Sequence, residues 1–254
     1  MLESSRMTIQ RIASTTILFC ALGVSTVAAG SESDWRWNVA PYLWASGIDI
    51  AIKDQSTLVG GATADFSNLV GQTEIGFQLI AEGGPEGGKW NVFTDVTYFE
   101  IADGDTVNAV DVDLDTDALF LDIGGVYSPA GIGKGIHFLG GVRHQKIDTN
   151  IEIVVPGDPV VNILQEDRFT DVLIGARYRF ILSNKWSLKL RGDVSTGDTE
   201  HTWTVEGLFG YQIGKDKDKK FLFGYRHREV EVEVDDLTQE IEMSGPIFAI
   251  NFNF

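Results

Sequence analysis

Along most of the chain, apolar and polar side chains alternate with a period of two residues. The most regular stretch begins at Trp186, which shares one face with Leu188 and Leu190, while Lys189 and Arg191 take the other. Because a β-strand sends successive side chains to opposite faces, each such stretch predicts a strand with one apolar and one polar face. Ten strands are predicted in this way, at residues 35–52, 73–81, 90–101, 119–127, 135–147, 169–182, 186–195, 202–213, 221–234 and 245–254.

The pattern predicts an all-β fold, a single up-and-down antiparallel transmembrane β-barrel. After the amino-terminal segment, no stretch is apolar for the ~20 residues that a membrane helix needs, whereas a barrel strand needs only about ten alternating residues. The ten predicted stretches make ten strands, an even number as in bacterial single-chain barrels, with eight or twelve as alternatives. A soluble sandwich is the competing interpretation, but it would have to bury the aromatic face against a second sheet. We expect aromatic girdles at both membrane interfaces, with Trp90 and Trp186 at one and Trp44, Tyr98 and Trp203 at the other.

The segments between the predicted strands alternate between short turns and longer polar stretches. A loop is predicted at 53–71, with one helical turn at 67–71 that could fold inward and narrow the lumen. An acidic loop is predicted at 103–117, a hairpin beyond the barrel at 151–164, and a tight glycine-rich turn at 82–89. Short turns on one side and longer loops on the other are expected of a barrel with both termini on the same side.

The first 29 residues have the pattern of a secretory signal peptide. Arg6 and Arg11 provide its basic end, an apolar stretch follows, and small residues at 27–29 suit cleavage. Residues 30–254 are then the barrel domain. The single cysteine, Cys20, lies inside the predicted signal, so the mature chain would contain no disulfide and no thiolate metal site.

The last predicted strand carries an aromatic stripe that ends at the terminal residue. Phe248, Ile250, Phe252 and Phe254 fall on every second position and therefore share one face. This ending resembles the carboxy-terminal signature of Gram-negative outer-membrane β-barrels. The resemblance implies that these four residues form the signal read by the barrel-assembly machinery, and we expect the strand to close the barrel against the first strand.

Five further segments resemble a largely uncharacterised family of Gram-negative outer-membrane β-barrel proteins, small OmpA-like or porin-like barrels with an APYLW-type first strand and a carboxy-terminal Phe. They lie at residues 37–45, 66–69, 186–193, 222–226 and 244–246. The resemblance spans nearly the whole mature chain. It implies the fold, a place in the cell outer membrane, and outer-membrane lipid and lipopolysaccharide as partners, but it implies no activity.

The polar faces of the predicted strands carry charges of both signs in equal number. Because an ion that is desolvated and unpaired costs several kcal/mol, these side chains should pair and fill a narrow lumen. The sequence therefore predicts a non-enzymatic envelope protein with a charge-paired, mostly plugged lumen, and a narrow pore for small hydrophilic solutes is the alternative. The predicted lumen residues are Glu74, Glu82, Asp95, Asp122, Asp171, Asp193 and Glu206, with Arg143, Arg177, Arg179, Lys189, Arg191, Arg226 and Arg228.

Charge and residue types narrow the other function classes. The formal net charge of −17 argues against nucleic acid as a partner, because binding phosphates requires a basic surface. No cofactor and no dedicated metal site are predicted, although acidic outer loops could loosely bind Ca²⁺ or Mg²⁺. His201, beside Asp198 and Glu200, resembles the aspartate–histidine pairing of ten-stranded outer-membrane proteases. With no lipase-type serine motif present, we expect no enzyme activity and keep an outer-loop hydrolase as a distant alternative.

Overall fold

A computed structural model of the chain describes residues 35–54, 57–64, 73–107, 110–131, 133, 135–154, 161–214, 218–234 and 237–254. The predicted signal peptide and the helical turn predicted at 67–71 lie outside these residues. Within them, no helix is long and apolar enough to cross a membrane. The strands are β1 (Trp35–Trp44), β2 (Gly47–Asp54), β3 (Thr57–Ala64), β4 (Thr73–Pro85), β5 (Trp90–Val107), β6 (Val110–Tyr127), β7 (Gly135–Val154), β8 (Val161–Ile181), β9 (Trp186–Gly197), β10 (His201–Ile213), β11 (Lys219–Val234) and β12 (Leu237–Asn253).

Ten of these strands close into an up-and-down antiparallel barrel. Each strand from β4 to β11 pairs with the next one in the chain, β1 pairs with β4, and β12 pairs with β1. The closing seam sets Asn38 opposite Asn253 and Trp44 opposite Ile247. The predicted fold class, the ten-strand barrel and the closure of the last strand against the first are therefore confirmed.

The strands β2 and β3 extend the barrel wall beyond β1. Trp44 faces Ile247 and Gly47 faces Ser244, so β1 and β2 follow one unbroken register along β12 through residues 45–46. The strand β3 then folds back on β2. The prediction of a loop throughout 53–71 is therefore wrong for 57–64, because pairing with β2 gives this glycine-bearing segment a partner that its composition did not reveal.

Two of the predicted loops and turns are shorter than their composition suggests, and one predicted hairpin is confirmed. The acidic loop predicted at 103–117 is wrong, since β5 and β6 stay paired from the barrel up to Val107 and Val110. Their backbone ladder outweighs the low strand propensity of aspartate and glycine. The predicted turn at 82–89 is also too wide, because β4 continues to Pro85. The hairpin predicted at 151–164 is confirmed by β7 and β8, which reach Val154 and start again at Val161.

The barrel has two different ends. We call the end that carries the turns after β4, β6, β8 and β10 the short-turn end, and β1 begins and β12 finishes there. The opposite end, where the paired strands of β5–β6, β7–β8 and β11–β12 project, is the hairpin end.

The outer face of the barrel is an apolar belt. On β10 it extends from Trp203 to Ile213, about 33 Å along a strand and about 25 Å in height at a tilt of ~40°. The belt continues around the barrel through exposed residues such as Trp90, Ile174 and Phe248. Trp44 does not belong to it, contrary to the prediction, because its side chain points into the barrel and is only 5% exposed.

Candidate functional site in the barrel lumen

The predicted lumen residues can be followed strand by strand into the structure. The side chain of Glu74 lies outside the described part of the chain. Four others, Glu82, Arg177, Arg179 and Lys189, are half-buried towards the short-turn end. The remaining predicted residues are buried inside the barrel, and they are Asp95, Asp122, Arg143, Asp171, Arg191, Asp193, Glu206, Arg226 and Arg228.

Asp122 of β6 is the residue on which three guanidinium groups meet. Its carboxylate accepts hydrogen bonds from Arg143 Nε at 2.8 Å and Nη2 at 3.0 Å. Arg191 Nη2 and Arg228 Nη2 donate to the same carboxylate at 3.2 and 3.3 Å. These donors come from β7, β9 and β11, so the carboxylate ties together strands that are not neighbours in the barrel wall.

Two further carboxylates join the guanidinium groups to one another. Asp193 accepts from Arg143 Nη2 at 2.7 Å and from Arg191 Nε at 2.6 Å. Asp95 accepts from Arg226 Nη2 at 2.9 Å and lies 3.5 Å from Arg191 Nη1. The contacts form one connected set across the lumen.

Glu206 completes the set on the side of β10. Arg226 donates to Glu206 Oε2 through Nε at 3.0 Å and Nη2 at 2.6 Å, while Lys189 Nζ lies 2.9 Å from Oε1. We call this arrangement the plug layer. It contains four carboxylates and four guanidinium groups, and its members are Asp95, Asp122, Arg143, Arg191, Asp193, Glu206, Arg226 and Arg228.

Aromatic residues of β1 take part in the plug layer, although the charge pattern did not reveal them. The Tyr42 hydroxyl donates to Asp95 Oδ1 at 2.7 Å and accepts from Arg226 Nη1 at 3.2 Å. The Arg226 guanidinium also lies over the rings of Tyr42 and Trp44, 5.2 and 5.3 Å from their centroids. Strand parity would have found both residues, since they share a face with Ala40.

Asp171 lies on the hairpin-end side of the plug layer and is held by hydroxyl groups. Ser195 Oγ donates to it at 3.0 Å, and Thr199 donates through Oγ1 at 2.6 Å and its backbone N–H at 3.1 Å. Apolar side chains such as Phe120 and Met243 pack around the interior near this level. Side chains therefore occupy the interior of the barrel on the hairpin-end side of the ionic contacts as well as at their level.

On the short-turn side, the plug layer borders a cavity of about 90 Å³. We call this cavity the basic chamber, because Arg177, Arg179, Lys189 and Lys220 line it. Arg177 Nη2 donates to Glu82 Oε1 at 2.5 Å, which makes Glu82 the main carboxylate of the chamber wall.

The outer surface at the hairpin end carries carboxylates and histidines. His201 begins β10 and its Nδ1 lies 3.9 Å from Glu231 Oε1, whereas Asp198 accepts a hydrogen bond from the Thr170 backbone N–H. The position of His201 in the sequence suggested a pairing with Asp198. In the structure His201 lies next to Glu231 of β11 instead. His201, Glu229 and Glu231 have ligand atoms within 4.8 Å of one another and could hold a divalent cation.

A second outward cluster is a row of carboxylates that crosses three strands, with Lys146 beside it. Asp117 lies opposite Glu100 on β5 and opposite Asp148 on β7. Burial, and then the charges of Glu100 and Asp148, raise the pKa of Asp117 above its ordinary value. Like charges placed directly opposite one another destabilise a sheet, and Lys146, which forms an ion pair with Asp148, offsets part of this repulsion.

The sequence matches no protein-family model and no curated protein. Among solved structures, the chain is similar to the outer-membrane protease OmpT of Escherichia coli, with a TM-score of 0.53, 8% identity, and coverage of 91% of this chain and 100% of that chain. The translocator domain of the autotransporter NalP from Neisseria meningitidis has a TM-score of 0.47 and 10% identity, with coverage of 89% of this chain and 90% of that chain. The attachment invasion locus protein Ail of Yersinia pestis has a TM-score of 0.37 and 8% identity, with coverage of 87% of this chain and 98% of that chain. At such identities the likeness concerns the fold alone, and that fold is the outer-membrane β-barrel.

Proposed function

We propose that the protein is a non-enzymatic component of the outer membrane whose barrel is closed by the plug layer. The observation that carries the proposal is the burial of the charged side chains in the plug layer. Arg143 and Arg226 are 0% and 1% exposed, and Arg226 lies opposite Glu206, near the middle of the stretch of β10 that forms the apolar belt. An open pore would leave such side chains in contact with water.

Barrel width and charge balance both support a closed lumen. About eight strands leave room only for side chains, whereas 16–18 strands enclose an aqueous channel, and this barrel has ten. An ion that crossed the plug layer would have to separate buried pairs, and breaking one such pair by removing a partner costs about 3–5 kcal/mol. Spontaneous permeation should therefore be rare.

Conductance of the refolded protein in a planar bilayer tests the plug directly. We expect no steady ohmic steps from the unaltered barrel. Replacing Asp122 and Arg143 together by alanine removes one charge of each sign and keeps the layer neutral, so small steps should appear. The matched control replaces Glu166 and Arg168, an exposed pair 3.0 Å apart near the hairpin end, and should stay silent. Steady steps from the unaltered barrel would favour the narrow pore instead.

The hydrolase alternative rests on the likeness to a protease and on the pair formed by His201 and Glu231. We expect the refolded protein to leave unstructured peptides intact. Cleavage that disappears on replacing His201 by alanine, but not on replacing the outward His144, would overturn the non-enzymatic proposal.

The apolar belt and the final strand support localisation and assembly in the outer membrane. Phe248, Ile250 and Phe252 project outward with Phe254 following at the short-turn end, where the assembly machinery could read them. Lipid and lipopolysaccharide would surround the belt, and outward carboxylates such as Asp117 could loosely bind Ca²⁺ or Mg²⁺ there. Replacing Phe254 by serine should lower the amount of heat-modifiable protein in the outer-membrane fraction; an unchanged amount would argue against the assembly role.

A further inference from the structure

The basic chamber has an excess of positive charge in a protein whose formal net charge is −17. Its four cationic side chains face a space of about 90 Å³ between the plug layer and the short-turn end. Two carboxylates bear on the chamber, those of Glu82 and Glu206. Among the described side chains, four cations less these two carboxylates leave an excess of two positive charges, and the excess is three if Glu206 is counted only in the neutral plug layer.

Both carboxylates are already engaged by other groups. Glu82 Oε1 accepts from Arg177 at 2.5 Å and from Asn91 Nδ2 at 2.7 Å. Glu206 shares its charge between Lys189 and Arg226, and the latter belongs to the plug layer. These two carboxylates consequently offset less of the positive charge of the chamber than their number suggests.

Arg179 and Lys220 are the two cations of the chamber for which no ion pair with a described side chain is formed. In the β8–β9 register Arg179 lies directly opposite Lys189, a like-charge pair on one face of the sheet. Lys220 has neutral neighbours on both sides, Gln212 on β10 and Asn251 on β12. Such a grouping of partly desolvated cations is unfavourable unless an anion lies between them.

The chamber is accessible from one side. Arg179 and Lys220 also line a wider depression at the short-turn end, together with Asn38. The plug layer closes the opposite side. Arg36, Glu86 and Asp218 line the same depression, so an anion that enters from the short-turn end would pass charges of both signs before it reaches Arg179 and Lys220.

We propose that the basic chamber binds a small tetrahedral oxyanion, such as phosphate or sulfate, between Arg179 and Lys220, with Arg177 and Lys189 adding to the attraction. Guanidinium groups suit this chemistry because they donate two parallel hydrogen bonds to phosphate oxygens. The space is sufficient, since one water-sized atom needs about 10–15 Å³ of such volume and the four oxygens of the anion therefore need about 40–60 Å³ of the 90 Å³ present. This site does not depend on whether the plug layer conducts.

Titration calorimetry of the refolded full-length barrel in detergent, with inorganic phosphate added at constant ionic strength in sodium chloride, tests the proposal. Saturable binding is expected for the unaltered protein. Replacing Arg179 and Lys220 together by glutamine should weaken it at least tenfold. The matched control replaces Arg168 and Lys219, which lie on the same two strands but are exposed outside the chamber, and should change the affinity less than twofold.

Two more variants keep the test decisive. If the double variant does not refold, Lys220→Gln alone at the rim of the chamber should still weaken binding severalfold. Glu82→Gln removes a competing carboxylate and should tighten phosphate binding severalfold. Absence of saturable binding to the unaltered protein would overturn the proposal, as would an equal loss in the control, because binding would then reflect overall charge.

Discussion

Replacing Asp122 by asparagine is the sharpest test of how the lumen holds the barrel together. The substitution keeps the size of the side chain and removes its charge. Arg143, Arg191 and Arg228 then lose a carboxylate to which they donate at 2.8 to 3.3 Å. The plug layer keeps three carboxylates for four guanidinium groups, which leaves one buried positive charge without compensation. Because the site is about 1% exposed, water cannot replace the missing partner.

The size of the effect follows from the cost of removing one partner of a buried ion pair. We expect the free energy of unfolding to fall by about 3–5 kcal/mol. Urea unfolding of the barrel refolded into phospholipid vesicles, followed by tryptophan fluorescence and by electrophoretic mobility, measures it. The control is Asp117→Asn, on the same strand but outward and exposed, for which a change within about 0.5 kcal/mol or a small gain is expected.

A second substitution distinguishes charge imbalance from simple loss of packing. Arg228 contacts Asp122 and Thr204, so replacing it by methionine in the Asp122→Asn background restores three charges of each sign. The double variant should be more stable than the sum of the single effects by about 0.5–3 kcal/mol. If Asp122→Asn costs less than about 1 kcal/mol, or if the two effects simply add, the plug layer is not held by its ionic contacts.

Other positions give further tests by urea unfolding. A methyl group on Gly224 would lie 1.8 Å from the Gly207 carbonyl oxygen, so Gly224→Ala should cost about 1–3 kcal/mol, whereas Gly140→Ala meets nothing within 4 Å and should be neutral; equal effects would refute the close approach. Tyr42→Phe removes a donor to a buried carboxylate 2.7 Å away and should cost about 1–3 kcal/mol, so a neutral result would argue against that hydrogen bond. Because the folded-state pKa of Asp117 is raised, its ionisation opposes folding as the pH rises above its ordinary 3.8; Asp117→Asn should therefore gain stability over the unaltered protein at pH 8 but not at pH 3, and a constant difference would contradict this.

The alternation of side chains predicted the strands of the barrel, because burial of one face and exposure of the other repeats at every second residue. The same rule would have placed Trp44 correctly. Trp44 is seven residues from Trp37 in the sequence, an odd separation, so the two rings must point to opposite faces of a continuous strand. The predicted aromatic girdle is wrong at Trp44, because strand parity turns this ring into the barrel.

The sequence could not predict how far the hairpins extend or which lumen charges meet. The pairing of Gly104 with Asp113 depends on a ladder that begins deep in the barrel, and local propensity opposes it. The contact between Arg226 and Asp95 joins residues 131 positions apart and crosses the lumen. Such contacts depend on barrel radius and stagger, which no local pattern contains.

The distribution of charge along the barrel separates the two proposals. The plug layer is neutral and the basic chamber is positive, so the negative excess of the chain must lie elsewhere, and carboxylates such as Asp117 and Glu231 lie on the outer surface at the hairpin end. An anion approaching from that end would be repelled there and, if the plug layer closes the lumen as proposed, would go no further. One approaching from the short-turn end would instead be attracted to Arg179 and Lys220. Replacing Asp122 and Arg143 together should therefore change the conductance without abolishing phosphate binding. Replacing Arg179 and Lys220 should weaken phosphate binding without changing the conductance.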